Sequence, residues 1–369
     1  MTPDTPHSVR DTAGRRWPVI DGITFARASR LDLAGEALSR LDAGDQEGAL
    51  VLLLADQDDW WRGATAEASD LRILARDRAR LTLRQAVTCL AWDAVGDYFL
   101  HRWSDPTFVA GLALMEAHWN EPRTAFELAC GIGHFLRVLA QRGVGCTGAD
   151  VVFAKLWVAR HWVAPDARLV CFDAGLSPWP MVSGERFDLV CCHDAFYFLR
   201  PQDAIAAQLA ALAGDAGSLT IGHVHNRDRS NLSAGWGLAA DEVARLFPGA
   251  RLYDDAELTQ ATIGRRVPSA AQACSLRDAE AFGIATGPGI GPARPVAGKL
   301  SLPPHGTALR RNPLLRDGTI TWPSDRYAEE YGPRATYSPA SDAPERTLAS
   351  DETVGWVLRR ELLDLPDRW

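Results

Sequence analysis

Apolar positions change their spacing along the chain, and those changes divide it. From Leu31 to Leu54 apolar residues recur at helical spacing, with a break at Ala43-Gly44-Asp45, which predicts a helix hairpin. From Ala66 to His101 the helical period continues without an internal proline. Arg72, Arg76, Arg80 and Arg84 follow one another at every fourth position there, the pattern of a solvated basic helix face. Residues 1–105 therefore read as an all-helical cap.

The period then shortens. Apolar runs near 124–130, 145–149, 168–172, 187–192 and 218–224 predict strands, and helices are expected to begin near Gly133, Phe153, Pro201 and Ala240. Strand and helix alternating with short connections is the rhythm of an α/β fold, a doubly wound and mostly parallel sheet, over residues 106–262. Past residue 262 the rhythm lapses, and Gly287 to Pro323 is rich in glycine and proline. Residues 263–369 read as a long extension or lid, whose helical period from Thr353 to Leu363 predicts a terminal helix docked on the body.

Composition narrows the partners. Hydrophobic residues make up 47% and charged residues 23% of 369, enough for a sizeable core. The net charge of −8 argues against nucleic acid as the main partner, because phosphate binding calls for clustered positive charge. The longest strongly apolar run, Ala49 to Ala55, is far short of a bilayer span, and the opening residues lack a signal-peptide core. A cytoplasmic protein with a small-molecule substrate, no membrane partner and a possible homo-oligomeric state is expected. The seven cysteines show no metal-type pair spacing and read as reduced core thiols.

Chemistry concentrates in Thr124-Ala-Phe-Glu-Leu-Ala-Cys-Gly-Ile-Gly-His-Phe, which runs from an apolar strand through a small-residue turn into a helix. Gly131 and Gly133 let the backbone approach a ligand where a larger side chain would collide. Asp150 closes the next strand, where a carboxylate can accept both hydroxyl hydrogens of a ribose. A dinucleotide fingerprint fails on spacing. Its third small residue falls on Leu136, or on His134 in the alternative register.

With Glu127, Ala129, Cys130, Gly131 and Gly133 in an acidic-x-small-x-Gly-x-Gly pattern, the chain resembles the class I S-adenosylmethionine-dependent methyltransferases. The resemblance covers about residues 105–262 and implies a seven-stranded Rossmann-like sheet with S-adenosyl-L-methionine as cofactor. It implies further that Asp150 meets the ribose, and that Asp173, followed by Ala174, meets the adenine amine. Ala129 replaces the family's first glycine. The implied activity is O- or N-methylation of a small molecule; the alternative is a degenerate methyltransferase-fold scaffold that recognises a partner protein.

The acceptor side is expected beyond the fourth and fifth strands, at His193, Asp194, His223 and His225. His193 is the first choice for a base that takes the acceptor's proton. His223 and His225 lie two apart on a strand and share a face, which suits core histidines, acid/base work or two metal ligands. No firm third ligand is evident, and no metal is assigned. Trp60-Trp61 read as closing a helical hairpin, while Trp119 and Trp157 are pocket candidates. In the tail, Trp322 to Tyr327 and Glu329 to Tyr331 offer groups that either contact an acceptor or anchor the segment.

Overall fold

The computed structural model describes residues 1–180, 182 and 184–369. It opens on an antiparallel meander, β1 (Thr2–Thr5), β2 (Ser8–Arg10), β3 (Arg16–Ile20) and β4 (Ile23–Phe25). This corrects the all-helical expectation for the first 105 residues. Runs as short as TPDT and SVR carry too few apolar positions to show a period, and their pairing is set by turns at Gly14 and at Asp21-Gly22, all with positive φ.

Helices α1 (Leu31–Asp42) and α2 (Gln46–Ala55) form the predicted hairpin, and the Asp45 carboxylate caps α2 by accepting from the Gly48 N–H. α3 (Ala68–Asp77), α4 (Leu83–Cys89) and α5 (Asp93–His101) follow. A capping box between Thr82 and Gln85 starts α4 afresh, so the arginine series is not one helix face. Arg72 and Arg76 are exposed on α3, whereas the Arg84 guanidinium lies 3.8 Å from the centre of the Trp369 ring. α6 (Pro106–Ala117) starts with a proline at its first turn and is buried along its whole length, filling the layer against one face of the central sheet.

That sheet is built from β5 (Thr124–Leu128), α7 (His134–Ala140), β6 (Gly145–Asp150), α8 (Phe153–Val158), β7 (Arg168–Cys171), β8 (Leu189–His193), α9 (Gln202–Ala213) and β9 (Ser218–His225). It is completed by α10 (Ala240–Leu246), β10 (Arg251–Asp254), α11 (Asp255–Gly264) and β11 (Ala281–Thr286). The strand order is β1-β2-β3-β4-β7-β6-β5-β8-β9-β11-β10. β7, β6, β5, β8 and β9 are parallel, β11 is antiparallel to both its neighbours, and β4 joins the edge in parallel with β7.

The α/β sheet thus has the expected doubly wound core, widened to eleven strands by the meander. β10 and β11 are additions to the sequence reading, and β11 lies beyond residue 262. Its AFGIAT is short, rich in alanine and glycine and covered on both faces, so it shows neither alternation nor β-branched density.

The remainder forms two small sheets, from β12 (Ala308–Arg311), β13 (Leu315–Arg316) and β14 (Thr319–Ile320), then α12 (Asp325–Tyr331), β15 (Arg346–Leu348), α13 (Val354–Leu358) and β16 (Leu362–Leu363). The expected terminal helix is only the short α13, and docking follows it. Leu363 and Leu365 enter the core shared by the cap helices and the sheet. Arg368 donates to the carbonyls of Arg78, Leu81 and His161, and Arg137 holds Asp364. Among the described residues no helix is long and apolar enough to cross a membrane.

Candidate active site

At the carboxyl ends of the strands the chain reverses around β5, the crevice where open α/β sheets bind ligands. Beyond β5, Ala129 (φ 55°), Gly131 (φ 55°) and Gly133 (φ 86°) are all left-handed, a conformation that glycine adopts freely and that alanine holds at a cost of about 1–2 kcal/mol. Asp150 ends β6 with one oxygen accepting from the Gly131 N–H at 3.0 Å and the other from the Val152 N–H at 2.9 Å. Glu127 is 2% exposed, and its Oε2 has no hydrogen-bond partner among the described residues. Burial, only partly offset by Arg102, pushes its carboxyl up to about 8. Cys130 is buried in the core beneath the turn.

The cap closes over this row. The ring of Phe99 packs on Gly131, and His134 donates from Nε2 to the Phe99 carbonyl at 2.9 Å. Lys155 sets its ammonium 3.5 Å from Asp58 and 3.8 Å from Asp150. Asp173 is not open to a ligand here: Ser29 donates to it from N at 2.9 Å and from Oγ at 2.6 Å, and Arg27 from Nε at 3.3 Å. The Ala174 carbonyl accepts from the Trp179 indole. Tyr98, Phe99 and Arg102, from the end of α5, and Lys155, from α8, are absent from the sequence expectations because they reach the strand ends from outside the strand–turn pattern; only the i, i+4 spacing of Tyr98 and Arg102 hints at a shared target.

Three of the four expected acceptor-side residues converge. Asp194, left-handed at φ 54°, accepts from Tyr98 Oη at 3.0 Å, Arg102 Nη1 at 2.8 Å and Tyr197 Oη at 2.9 Å. Burial raises its pKa, but Arg102 and the two histidines outweigh that and lower it. His223 sits at φ 52° where the register between β9 and β11 shifts, a bulge that re-aims its ring. Its Nδ1 pairs with Asp255 Oδ2 at 3.0 Å, and its Nε2 lies 3.9 Å from Asp194 Oδ1. Burial alone would lower the His223 pKa; Asp255 and Asp194 reverse that and raise it. The His225 ring lies 4.7 Å from that of His223, with both nitrogens buried and unpartnered, and burial lowers its pKa to about 3.

His193 does not join them. As the last residue of β8 it turns to the α6 layer, its ring 4.6 Å from Phe135 and its Nδ1 beside Gly111 and Gly222. Burial holds its pKa near 3. The left-handed turn at Asp194 sends the next side chain into the crevice instead.

The tail reaches the same place. Arg334 donates to Asp255 at 2.9 Å, Tyr327 donates to Asp105, and Ser233 donates to Glu330 at 3.2 Å. Trp60 lies in the connection between α2 and α3 and packs on Phe198 and Trp236, while Trp119 and Trp157 are core residues. Of the cysteines, Cys274 is exposed. A cavity of about 860 Å³ lined by Phe247, Arg251 and Gln272 opens at the opposite end of the strands.

Residues 125–217 match the family described as "Methyltransferase domain". No curated protein matches the chain significantly. Among solved structures, a TehB-like SAM-dependent methyltransferase from Corynebacterium glutamicum is 19% identical over 48% of this chain and 85% of its own, with a TM-score of 0.36. CalS10, an amino pentose methyltransferase from Micromonospora echinaspora solved with SAM bound, is 25% identical over 33% of this chain and 52% of its own, with a TM-score of 0.28. The plantazolicin methyltransferase BamL is 14% identical over 55% of this chain and 96% of its own, with a TM-score of 0.37.

Proposed function

We propose that this chain, whose residues 125–217 match the methyltransferase-domain family, is an S-adenosylmethionine-dependent methyltransferase acting on an oxygen or nitrogen of a small-molecule acceptor. The observation that carries the reading is the unpartnered, buried Glu127 Oε2 beside the left-handed turn from Ala129 to Gly133. A carboxyl group taken out of water without a partner is costly, and a cationic ligand group such as an amino-acid ammonium satisfies it by drawing it into the ionised form.

The residues present fit this cofactor. Glu127 takes the ammonium, Gly131 and Gly133 permit close approach, Cys130 and Ala129 shape the turn, and Asp150 takes the ribose hydroxyls. Asp173 and Ala174 take the adenine once Ser29 and Arg27 yield. When bound, the cofactor supplies a methyl carbon to the acceptor's lone pair as the carbon–sulfur bond breaks toward sulfur. Alignment and exclusion of water then fall to the protein.

Asp194, His223 and His225 face the acceptor, with His193 behind them. Tyr98 and Tyr197 hold Asp194, and burial keeps both phenols protonated as donors. α12 and Arg334 close the crevice from the tail, which supports enclosure as the role of residues 263–369. Residues 1–105 act as the cap, residues 106–262 with β11 as the cofactor domain, and the enzyme works in the cytoplasm.

Comparing extracts of cells with and without the intact chain by mass spectrometry, for a metabolite one methylene heavier, tests the acceptor assignment. A chain that binds the cofactor, yields no methylated product and retains one stoichiometric protein partner fits the scaffold reading instead.

A further inference from the structure

We infer that Asp194, His223 and His225 bind one first-row transition-metal dication and leave one coordination position open to an acceptor oxygen. Their candidate ligand atoms all lie within 4.8 Å of one another. A tetrahedral ion with bonds of about 2.0–2.2 Å would draw them to about 3.4 Å apart, a change that side-chain rotation supplies.

His225 is the most poorly satisfied of the three. It is 3% exposed, and among the described residues neither ring nitrogen has a partner, so the folded chain bears the cost of desolvating an imidazole that no described group satisfies. An ion on its lone pair removes that cost.

His223 is already prepared as a ligand. A bond between its Nδ1–H and Asp255 Oδ2 at 3.0 Å fixes the tautomer with the Nε2 lone pair toward Asp194, the carboxylate–histidine arrangement that orients metal-binding imidazoles. Arg334 steadies Asp255 from the tail. Asp194 divides its work: Tyr98 and Arg102 occupy Oδ2, while Oδ1 faces His223 and accepts only from Tyr197. The positive charges of Arg102 and Arg334 oppose a cation, but each is paired, Arg102 with Asp194 and Arg334 with Asp255 and Glu280.

Two nitrogen donors and one oxygen donor select a borderline ion such as zinc, cobalt or iron(II) over calcium or magnesium. Three protein ligands leave an open position, as in ligand-activating metal sites. Ion binding stands independently of methyl transfer; only the acceptor oxygen as the further ligand rests on the methyltransferase reading.

Cobalt(II) is the probe. The metal-stripped full chain is dialysed against it, and bound metal, visible d–d absorption and the cobalt-edge X-ray absorption spectrum are recorded. The expected result is one tightly held equivalent with two imidazole ligands. His225→Gln and Asp194→Asn, near-isosteric changes checked for folding by circular dichroism, should each lose at least tenfold in affinity. Asp255→Asn should lose about 10–100-fold, the usual effect of removing a group that orients a ligand, and His305→Gln on the surface should lose nothing. A wild-type chain that takes up no stoichiometric cobalt, a bound ion without imidazole ligands, or undiminished binding by His225→Gln and Asp194→Asn overturns the inference. Heats of S-adenosylhomocysteine binding, measured on the same samples, report on the methyltransferase reading separately.

Discussion

Phe99 lies directly on Gly131, so close that a β-carbon at position 131 would stand 2.9 Å from its ring. One residue belongs to the cap and the other to the turn proposed to meet the cofactor, and His134 ties them by donating to the Phe99 carbonyl. If the proposed cofactor seats against this turn, the Phe99 ring must give way to it. Gly131→Ala combines a left-handed strain of about 1–2 kcal/mol with that clash. It should lower S-adenosylhomocysteine affinity at least tenfold by calorimetry while the far-UV spectrum stays native; unchanged affinity would show that the turn does not meet the ligand.

Phe99→Leu keeps an apolar contact but removes the ring from the turn. Stopped-flow measurements should show cofactor association several-fold faster than in the wild type, with the melting temperature lowered. An unchanged association rate would place Phe99 outside the path of binding.

Glu127 makes binding depend on pH. Its carboxyl, raised to about 8 mainly by burial, is protonated in the free folded chain at neutral pH. A raised folded-state pKa means that this group's contribution to stability declines as pH climbs from the ordinary carboxylate range to about 8. A cationic ligand favours the ionised form, so affinity should rise between pH 6 and about 8 and then level off, with a proton released on binding below pH 8. Calorimetry in two buffers of different ionisation heat measures that proton; its absence would remove Glu127 from the ammonium site.

The tail is fastened by Tyr327, which donates to the buried Asp105 at the start of α6. Tyr327→Phe leaves that carboxyl without its donor and should cost about 1–3 kcal/mol in denaturant unfolding. Acceptor turnover should fall more than cofactor affinity does. Equal losses in both would make the tail a structural brace only.

Much of this arrangement was legible in the sequence, and the reasons for the rest are physical. Strands β5 to β9 carry compact apolar runs buried on both faces, and Glu127, Gly131 and Asp150 sit at strand ends where spacing alone locates them. The meander and β11 left little trace, because short strands paired through distant contacts have no period of their own. Asp194, His223 and His225 were placed together by strand position. The side of the sheet that His193 faces follows the pleat of β8, and the partners Asp255, Arg334 and Tyr98 stand 32 to 96 residues along the chain from the residue each one contacts. Asp173 was found at the expected strand end, and its engagement by Ser29 is a contact 144 residues apart in sequence that no local pattern announces.

Binding of S-adenosylmethionine and S-adenosylhomocysteine to the purified full chain, followed by isothermal calorimetry and thermal unfolding, decides whether the crevice at Glu127 and Gly131 holds the proposed cofactor. The expected result is one equivalent of either ligand and a rise in melting temperature corresponding to about 2.7 kcal/mol when free ligand is a hundredfold above its Kd. A chain with a native far-UV spectrum that gives no heat and no thermal shift with either ligand would contradict it.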